Sequence, residues 1–526
     1  MEPGNNNAAP KQSSPLESGN GNILPQRKAP SGGKTLHIII GVLITFGFGL
    51  LPAPEPLTHI GMIMIGYFIG VVYLWSTVDL GWPSIFGVVI VSFYMNLILE
   101  PSSTAPFGMW RTLQESLGNW VVGYVIGALL LTYALTEVGF TKRVAQIFIT
   151  SRFARKGAWP FTIMFLLAVL VTGCFIDAAP TIVFFVALAH EIFDRLGYKV
   201  GEKYPLMLIL GAGFITNFAF GMTPISHPVP VIGMSIFTAL TGGMTISFFD
   251  YMAVAVPVGL LQFVMLLVFF RYFMRPDTSR FSSIDIDKLA GEMMPPMRAR
   301  EKAAVIVYGL VVLTWLLPGI IAMFAPGSGI TRIFDEMTLI TPTLAGVIVM
   351  LIIRAEDKPL LDLEKAFLSG AVPFKIIAMI ACAMLFGTVL TESATGLNGF
   401  IMVKMSPMLE SNMSPFMVVS LLIIVTMVGA NLLNHAPVTI LFTAAFTPVA
   451  AQIGIAPKIV GTLVIFSAQM GFMLPPVLVS IAVVSGDKYS SIGKTIKYGF
   501  ACMIICMIAT VFVGYPLAHA IFRTGV

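Results

Sequence analysis

The chain has 526 residues, of which 57% are hydrophobic and only 11% charged, and its mean hydropathy is +0.89. That balance excludes a soluble globular domain of ordinary composition. The formal net charge of +5 is no signature of a nucleic-acid binder, because basic residues in a membrane protein mark cytoplasmic loops.

Residues 1–34, rich in Asn, Gly, Pro and Ser, read as a disordered cytoplasmic tail. The apolar stretch that follows lacks a small-residue cleavage site, so it reads as a retained span and not a signal peptide. Apolar runs of about 20 residues, the length of one helical crossing, recur from Thr35 to the end. Backbone polar groups in lipid must be satisfied within each segment, so the expected fold class is all-α and polytopic. About 11 transmembrane helices plus two re-entrant hairpins, in two inverted-topology repeats, fit the pattern. The lipid bilayer is thus the first partner, and the expected location is the cell (inner) membrane, multi-pass, with the N-terminus cytoplasmic.

Basic residues thread this topology. Lys11, Arg27, Lys28 and Lys34 precede four spans near 35–52, 58–76, 82–99 and 119–135, and Lys142, Arg143, Arg152, Arg155 and Lys156 follow them. Both clusters belong on the cytoplasmic side. The apolar segment 157–193 then leaves one basic loop and returns to another, with Arg195, Lys199 and Lys203, so it is a hairpin with "CFIDAAPTIVFF" at its turn. The first membrane repeat is 35–274, the cytoplasmic linker is 275–302, and the second repeat is 303–526 with a hairpin at 415–455.

The two repeats echo each other. "ALTEVGF" at Ala134 matches "VLTESATGL" at Val389, and "IDAAPTIVFF" at Ile176 matches "LNHAPVTILF" at Leu433. Asp177 and Asn434 lie 257 residues apart, as do Pro180 and Pro437. The second hairpin has only Lys404 before it and Lys458 after it, so by the same bias it opens to the opposite side.

Each hairpin is followed by a second interruption. The first is "GAGFITNFAFGMTPISHPVPVIG", with Thr216, Asn217, Thr223, Ser226 and His227, and the second is "FSAQMGFMLPPVLVS", with Ser467, Gln469, Pro475 and Pro476. Proline breaks a helix and frees backbone groups, which membrane depth tolerates only where protein or a cavity satisfies them. Broken helices of two repeats meeting at the midplane are how secondary transporters build their sites.

The order of these motifs, with Gly-x-Thr-Pro, "ISFFDYMAVAVPVGLL", "FMLPP" and "IGKTIKYG", resembles the divalent anion:sodium symporters of the ion transporter superfamily, from about Thr35 to the end. The resemblance implies di- or tricarboxylate transport by alternating access, a small anionic substrate, a sodium ion as the candidate coupling ion, no other cofactor, and a homodimer. It places substrate at Asn434, His435, Ala178, Thr223, Pro224, Ser226 and Pro475, and sodium at Asp177, Asn434, Gly221 and Thr439. Of the family's Ser-Asn-Thr tip signature only Asn434 matches outright; the first tip reads Ile176, Asp177, Ala178 and the second Leu433, Asn434, His435.

Alternatives stay open. A carboxylate at position 177 also suits a cation/proton antiporter, or it simply caps the second hairpin arm; His435 is either a charge-carrying group or a satisfied buried imidazole. An enzyme is excluded because "AHEIFD" carries Asp194 where a zinc-protease helix needs its second histidine. Glu137 and Glu392 read as helix-end contacts. Cys174, Cys382, Cys502 and Cys506, all in apolar segments, read as packed small hydrophobes.

Overall fold

The structure, a computed structural model, describes residues 31–283, 296–325, 328–410, 413–452 and 454–522. The expected tail up to residue 30 and positions 284–295 of the expected linker lie outside these; residues 31–34 belong to the first helix.

Among the described residues the regular structure is helical, apart from two-residue strands at Arg354–Ala355 and Lys358–Pro359 that pair antiparallel. The first half runs α1 (Ser31–Gly47), α2 (His59–Thr77), α3 (Gly81–Ser92), α4 (Met95–Leu99), α5 (Met109–Glu115), α6 (Trp120–Glu137) and α7 (Phe140–Ile149). It continues with α8 (Ala158–Gly173), α9 (Ala178–Leu196), α10 (Lys203–Met222), α11 (Val229–Leu240) and α12 (Phe248–Phe269). The second half runs α13 (Ala299–Phe324), α14 (Gly329–Met337), α15 (Ile340–Ile352), α16 (Leu363–Leu368), α17 (Phe374–Thr391) and α18 (Leu397–Glu410). Then come α19 (Pro415–Leu432), α20 (His435–Phe446), α21 (Val449–Gln452), α22 (Pro457–Ala468), α23 (Val479–Gly486), α24 (Ile492–Ala509) and α25 (Tyr515–Phe522).

Among the described residues nine helical segments are long and apolar enough to span a bilayer, and six shorter apolar helices accompany them. The chain is thus the expected all-α polytopic membrane protein. Both hairpins are present, as α8–α9 and α19–α20. Along the chain α6, the α8–α9 hairpin, α10, α11 and α12 of the first half are followed by α17, the α19–α20 hairpin, α22, α23 and α24 of the second.

Local chemistry explains the boundaries. Thr58 caps α2 by accepting from Gly61 N at 3.0 Å, and Ser247 and Asp250 form a reciprocal capping box at the start of α12. Gly197, at φ 67°, takes the left-handed conformation that ends α9. The third expected span, 82–99, is instead two helices. The loop behind it folds back, with Asn96 N donating to Pro106 O at 3.1 Å and Gly108 N to Ser92 O at 2.8 Å, so the chain turns at Phe93–Tyr94.

Helix α10 is the axis of the core. Every residue from Tyr204 to Met222 is buried, as expected of a helix apolar all round. It packs on α8, α9, α12 and α23, which puts the first half's central helix against the second half's broken one. The hairpins interlock likewise: α9 packs on α23, and α20 on α11.

Ion pairs and caps join loops that the charge pattern assigns to one face. Arg143 meets Glu301 in two 2.7 Å bonds, His190 meets Asp487 at 2.7 Å, Lys365 meets Glu137, and Lys375 meets Asp79, all among loops read as cytoplasmic. Lys458 meets Asp250 at 3.0 Å, and Thr58 Oγ1 donates to Ala394 O at 2.7 Å, on the opposite face. Glu137 is therefore a helix-end contact, and His190 is engaged by a carboxylate. All four cysteines are free and buried.

Candidate functional site

The first hairpin turns through four non-helical residues and the second through two, and in each the polar residue before the second arm is its cap. Asp177 Oδ1 accepts from Ala179 N at 3.1 Å, and Asn434 Oδ1 accepts from Ala436 N at 3.1 Å. The capping reading of Asp177 is thus correct as local chemistry, and it applies equally to Asn434. Both are half-buried.

The breaks that follow are pinned to these tips, but with donor and acceptor roles exchanged. In the first half the break donates: Thr223 Oγ1 bonds Cys174 O at 3.0 Å, and Ser226 Oγ bonds Gly173 O at 2.6 Å. These satisfy carbonyls left free where α8 ends. In the second half the hairpin donates. Asn434 Nδ2 bonds the carbonyls of Pro476 and Val477 at 3.3 and 3.2 Å, and Asn431 Nδ2 bonds Met470 O at 2.8 Å while its Oδ1 accepts from Phe472 N at 2.8 Å. Asparagine can do both because its amide carries a donor and an acceptor.

Across the halves the two breaks are stitched by Asn217 on α10. Its Nδ2 bonds Gly471 O, and its Oδ1 accepts from Ser480 Oγ at 2.5 Å, so one amide holds both sides of the second break. Gly471 fits there because it has no Cβ: an added one would lie 2.3 Å from Ala430 O and 3.0 Å from His435 Nε2.

His435 and His227 meet beneath this seam. Their ring centroids are 6.3 Å apart at 88°, and His227 also stacks on Phe220 at 4.5 Å. Both are buried, and none of their four ring nitrogens has a hydrogen-bond partner, although the Gln469 amide adjoins His435. Gln469 Oε1 and Ser467 Oγ are also unpaired. A buried polar atom without a partner costs about 1–3 kcal/mol.

The remaining expected residues fall in two places. Ala178 opens α9 and is buried beside Asp177, with Pro224 in the first break, where its carbonyl accepts from Tyr124 Oη at 3.4 Å. Gly221, in the last turn of α10, has its carbonyl taken by Tyr251 Oη at 2.8 Å, and it abuts Met470 and Gln469. Thr439 Oγ1 accepts from Gln469 Nε2 at 3.0 Å, and Pro475 is half-buried in the second break. Of the four residues expected to hold sodium, Gly221 and Thr439 thus share Gln469 as neighbour, Asn434 serves the second break, and Asp177 stays with the first tip. Among the described residues no group of three or more His, Cys, Asp and Glu side chains is arranged to hold a metal ion.

Asn217, Asn431, Gln469, His227 and Ser480 join the tips and breaks although none was among the expected ligands. Asn431 had a signal: it stands three residues before Asn434, one turn back on the same hairpin. A separate recess of about 280 Å³ is lined by Glu115, Asn119, Thr388, Thr391 and Glu392. Its two carboxylates would repel a carboxylate substrate.

The fold matches solved transporters. The crystal structure of the Alcanivorax borkumensis YdaH transporter aligns with a TM-score of 0.54 at 12% identity, covering 82% of this chain and 97% of that one. Neisseria gonorrhoeae MtrF, described as one of a class of antimetabolite efflux pumps, aligns with a TM-score of 0.53 at 13% identity, covering 94% and 95%. In sequence, 227 residues are 26% identical to the C4-dicarboxylate TRAP transporter large permease protein DctM of Pseudomonas aeruginosa, covering 42% of this chain. The chain matches about half, 50%, of that curated relative's length. The profile of the DctM component of tripartite ATP-independent periplasmic transporters matches residues 212–517, which include the second hairpin and both breaks. The citrate transporter profile matches residues 33–358, with the whole first hairpin and first break, and the chain belongs to this citrate transporter family of the ion transporter superfamily.

Proposed function

We propose that the chain is a secondary active transporter of small organic anions, di- or tricarboxylates, held where the two hairpin tips meet the two breaks. The observation that carries this reading is the paired construction: two capped tips, each bonded to a proline-broken segment, joined through Asn217. Helix N-termini at Ala178 and His435 present backbone donors to an anion, and Asn434 adds an amide. The family and the DctM similarity support a carboxylate as cargo.

Alternating access follows if the hairpins open to opposite faces, as inverted repeats do; the interlocking of α9 with α23 and α20 with α11 supports such a pseudo-symmetric pair. We further propose a cell inner-membrane location with the N-terminus cytoplasmic, a homodimer, and coupling to a cation gradient. His435, in place of the family's threonine, argues for reduced dependence on sodium.

The test is uptake of labelled succinate and citrate, against uptake of labelled sodium, in proteoliposomes with imposed sodium or proton gradients. Carboxylate accumulation supports the reading. Sodium flux driven by protons without any carboxylate requirement favours the antiporter instead.

A further inference from the structure

A second cavity lies away from the tips. A chamber of about 490 Å³ separates α11 from a wall made by α13, α14 and α15. Met234, Thr238, Trp315, Phe334, Met337 and Leu339 line it, and none of its lining residues is charged. Several of its hydroxyls are engaged within the protein: Thr238 Oγ1 donates to Met234 O at 2.9 Å, Thr314 Oγ1 donates to Val311 O at 2.6 Å, and Ser247 Oγ accepts from Asp250 N at 3.0 Å. No cationic side chain lines it to attract a carboxylate.

The surroundings identify the occupant. Helix α14 is amphipathic; Phe334 and Met337 face the chamber while Ile330 and Ile333 are exposed on its outside. Leu310 and Leu313 on α13, and Leu344 and Ile348 on α15, are exposed as well. In a membrane protein such a band faces lipid tails, and a short amphipathic helix lies at the headgroup boundary. The volume is that of a small-molecule pocket, commonly about 300–1,000 Å³. An empty apolar chamber beside lipid forfeits the dispersion contacts of its whole lining.

We propose that this chamber holds a hydrocarbon chain of a membrane phospholipid, wedged between α11 and the α13–α15 wall. Helix α11 begins where the first break ends and packs on α20, α17 and α22 with its other sides. The chain therefore limits how far the helix behind the first break can swing towards α13. This site is independent of the identity of the transported anion.

The experiment uses the full chain in liposomes of phosphatidylethanolamine and phosphatidylglycerol, doped with a phosphatidylcholine carrying a diazirine on its acyl chain. After photolysis, labelled peptides are located by mass spectrometry in wild type, Thr238→Trp and Met337→Trp. Label is expected on segments 234–248 and 334–339 of the wild type, and is lost from them in both variants. Label on the exposed Ile348 and Val349 should persist and reports intact folding; if one variant misfolds, the other decides. Absence of chamber label in the wild type, or undiminished chamber label in a folded variant, overturns the proposal.

Discussion

Ser480 Oγ donates to Asn217 Oδ1 at 2.5 Å although 263 residues separate them, and the same Asn217 amide donates to Gly471 O. One side chain of the first half thus spans the second half's broken helix. Asn217→Ala should leave the carbonyl of Gly471 and the hydroxyl of Ser480 buried without partners, a destabilisation of about 1–3 kcal/mol. Anion uptake should fall further than this loss of folded protein accounts for. Thermal unfolding in detergent beside uptake per folded protein checks it; uptake falling only in step with stability would make Asn217 a packing residue.

The two caps are expected to separate. Asp177→Asn keeps an oxygen acceptor for Ala179 N and removes only the charge, so folding and carboxylate uptake should survive. Asn434→Asp keeps the cap on Ala436 N but deletes the donor to Pro476 and Val477 and adds a negative charge, so uptake should be abolished. If Asp177→Asn eliminates all transport at normal expression, the carboxylate is the carrier and the antiporter reading gains.

His227 and His435 bring two imidazoles into a pocket where the adjoining polar groups are Gln469 and backbone, not acids. Protonation of either histidine there lacks a counter-charge until an anion arrives, so proton and anion should bind together. Substrate binding by wild type is expected to strengthen as pH falls, because a proton taken up by either imidazole gains the bound anion as its counter-charge. His435→Thr should flatten that profile and raise dependence on sodium; an unchanged profile with a steep sodium requirement would make His435 structural.

Hairpin orientation is testable by labelling. In a background with Cys174, Cys382, Cys502 and Cys506 replaced by Ala, Lys156→Cys should react from the cytoplasm and Ser414→Cys from outside. Lys156 is used because neighbouring Gly157 sits at φ 139°, where a side chain is strained. Reaction of both from one side contradicts an inverted pair.

Much of this was legible in the sequence because proline and polar residues inside apolar runs have few physical explanations. Asp177, Pro180, Asn434 and Pro437 marked both tips, and Thr223 and Pro475 both breaks. What was hidden depends on partners far along the chain. Asn96 turned out to divide an apolar run by pairing with the loop at Pro106 and Phe107, which no periodicity announces. Asn217 stood in plain view, but on a helix buried all round nothing local says which neighbour an amide meets. The exchange of donors between the halves was equally invisible, since it rests on carbonyls that every residue carries.

The central claim is that the tips bind a carboxylate which the protein then moves. It is tested most directly by labelled citrate and succinate uptake into proteoliposomes containing wild type or Asn434→Ala at equal folded protein, under an imposed cation gradient. The cap's loss should cost about 0.5–2 kcal/mol of stability, leaving folded variant to reconstitute. The account predicts accumulation of at least one of these anions by wild type and none by the variant. Equal accumulation by both, or accumulation of neither anion by wild type under either a sodium or a proton gradient, would contradict it.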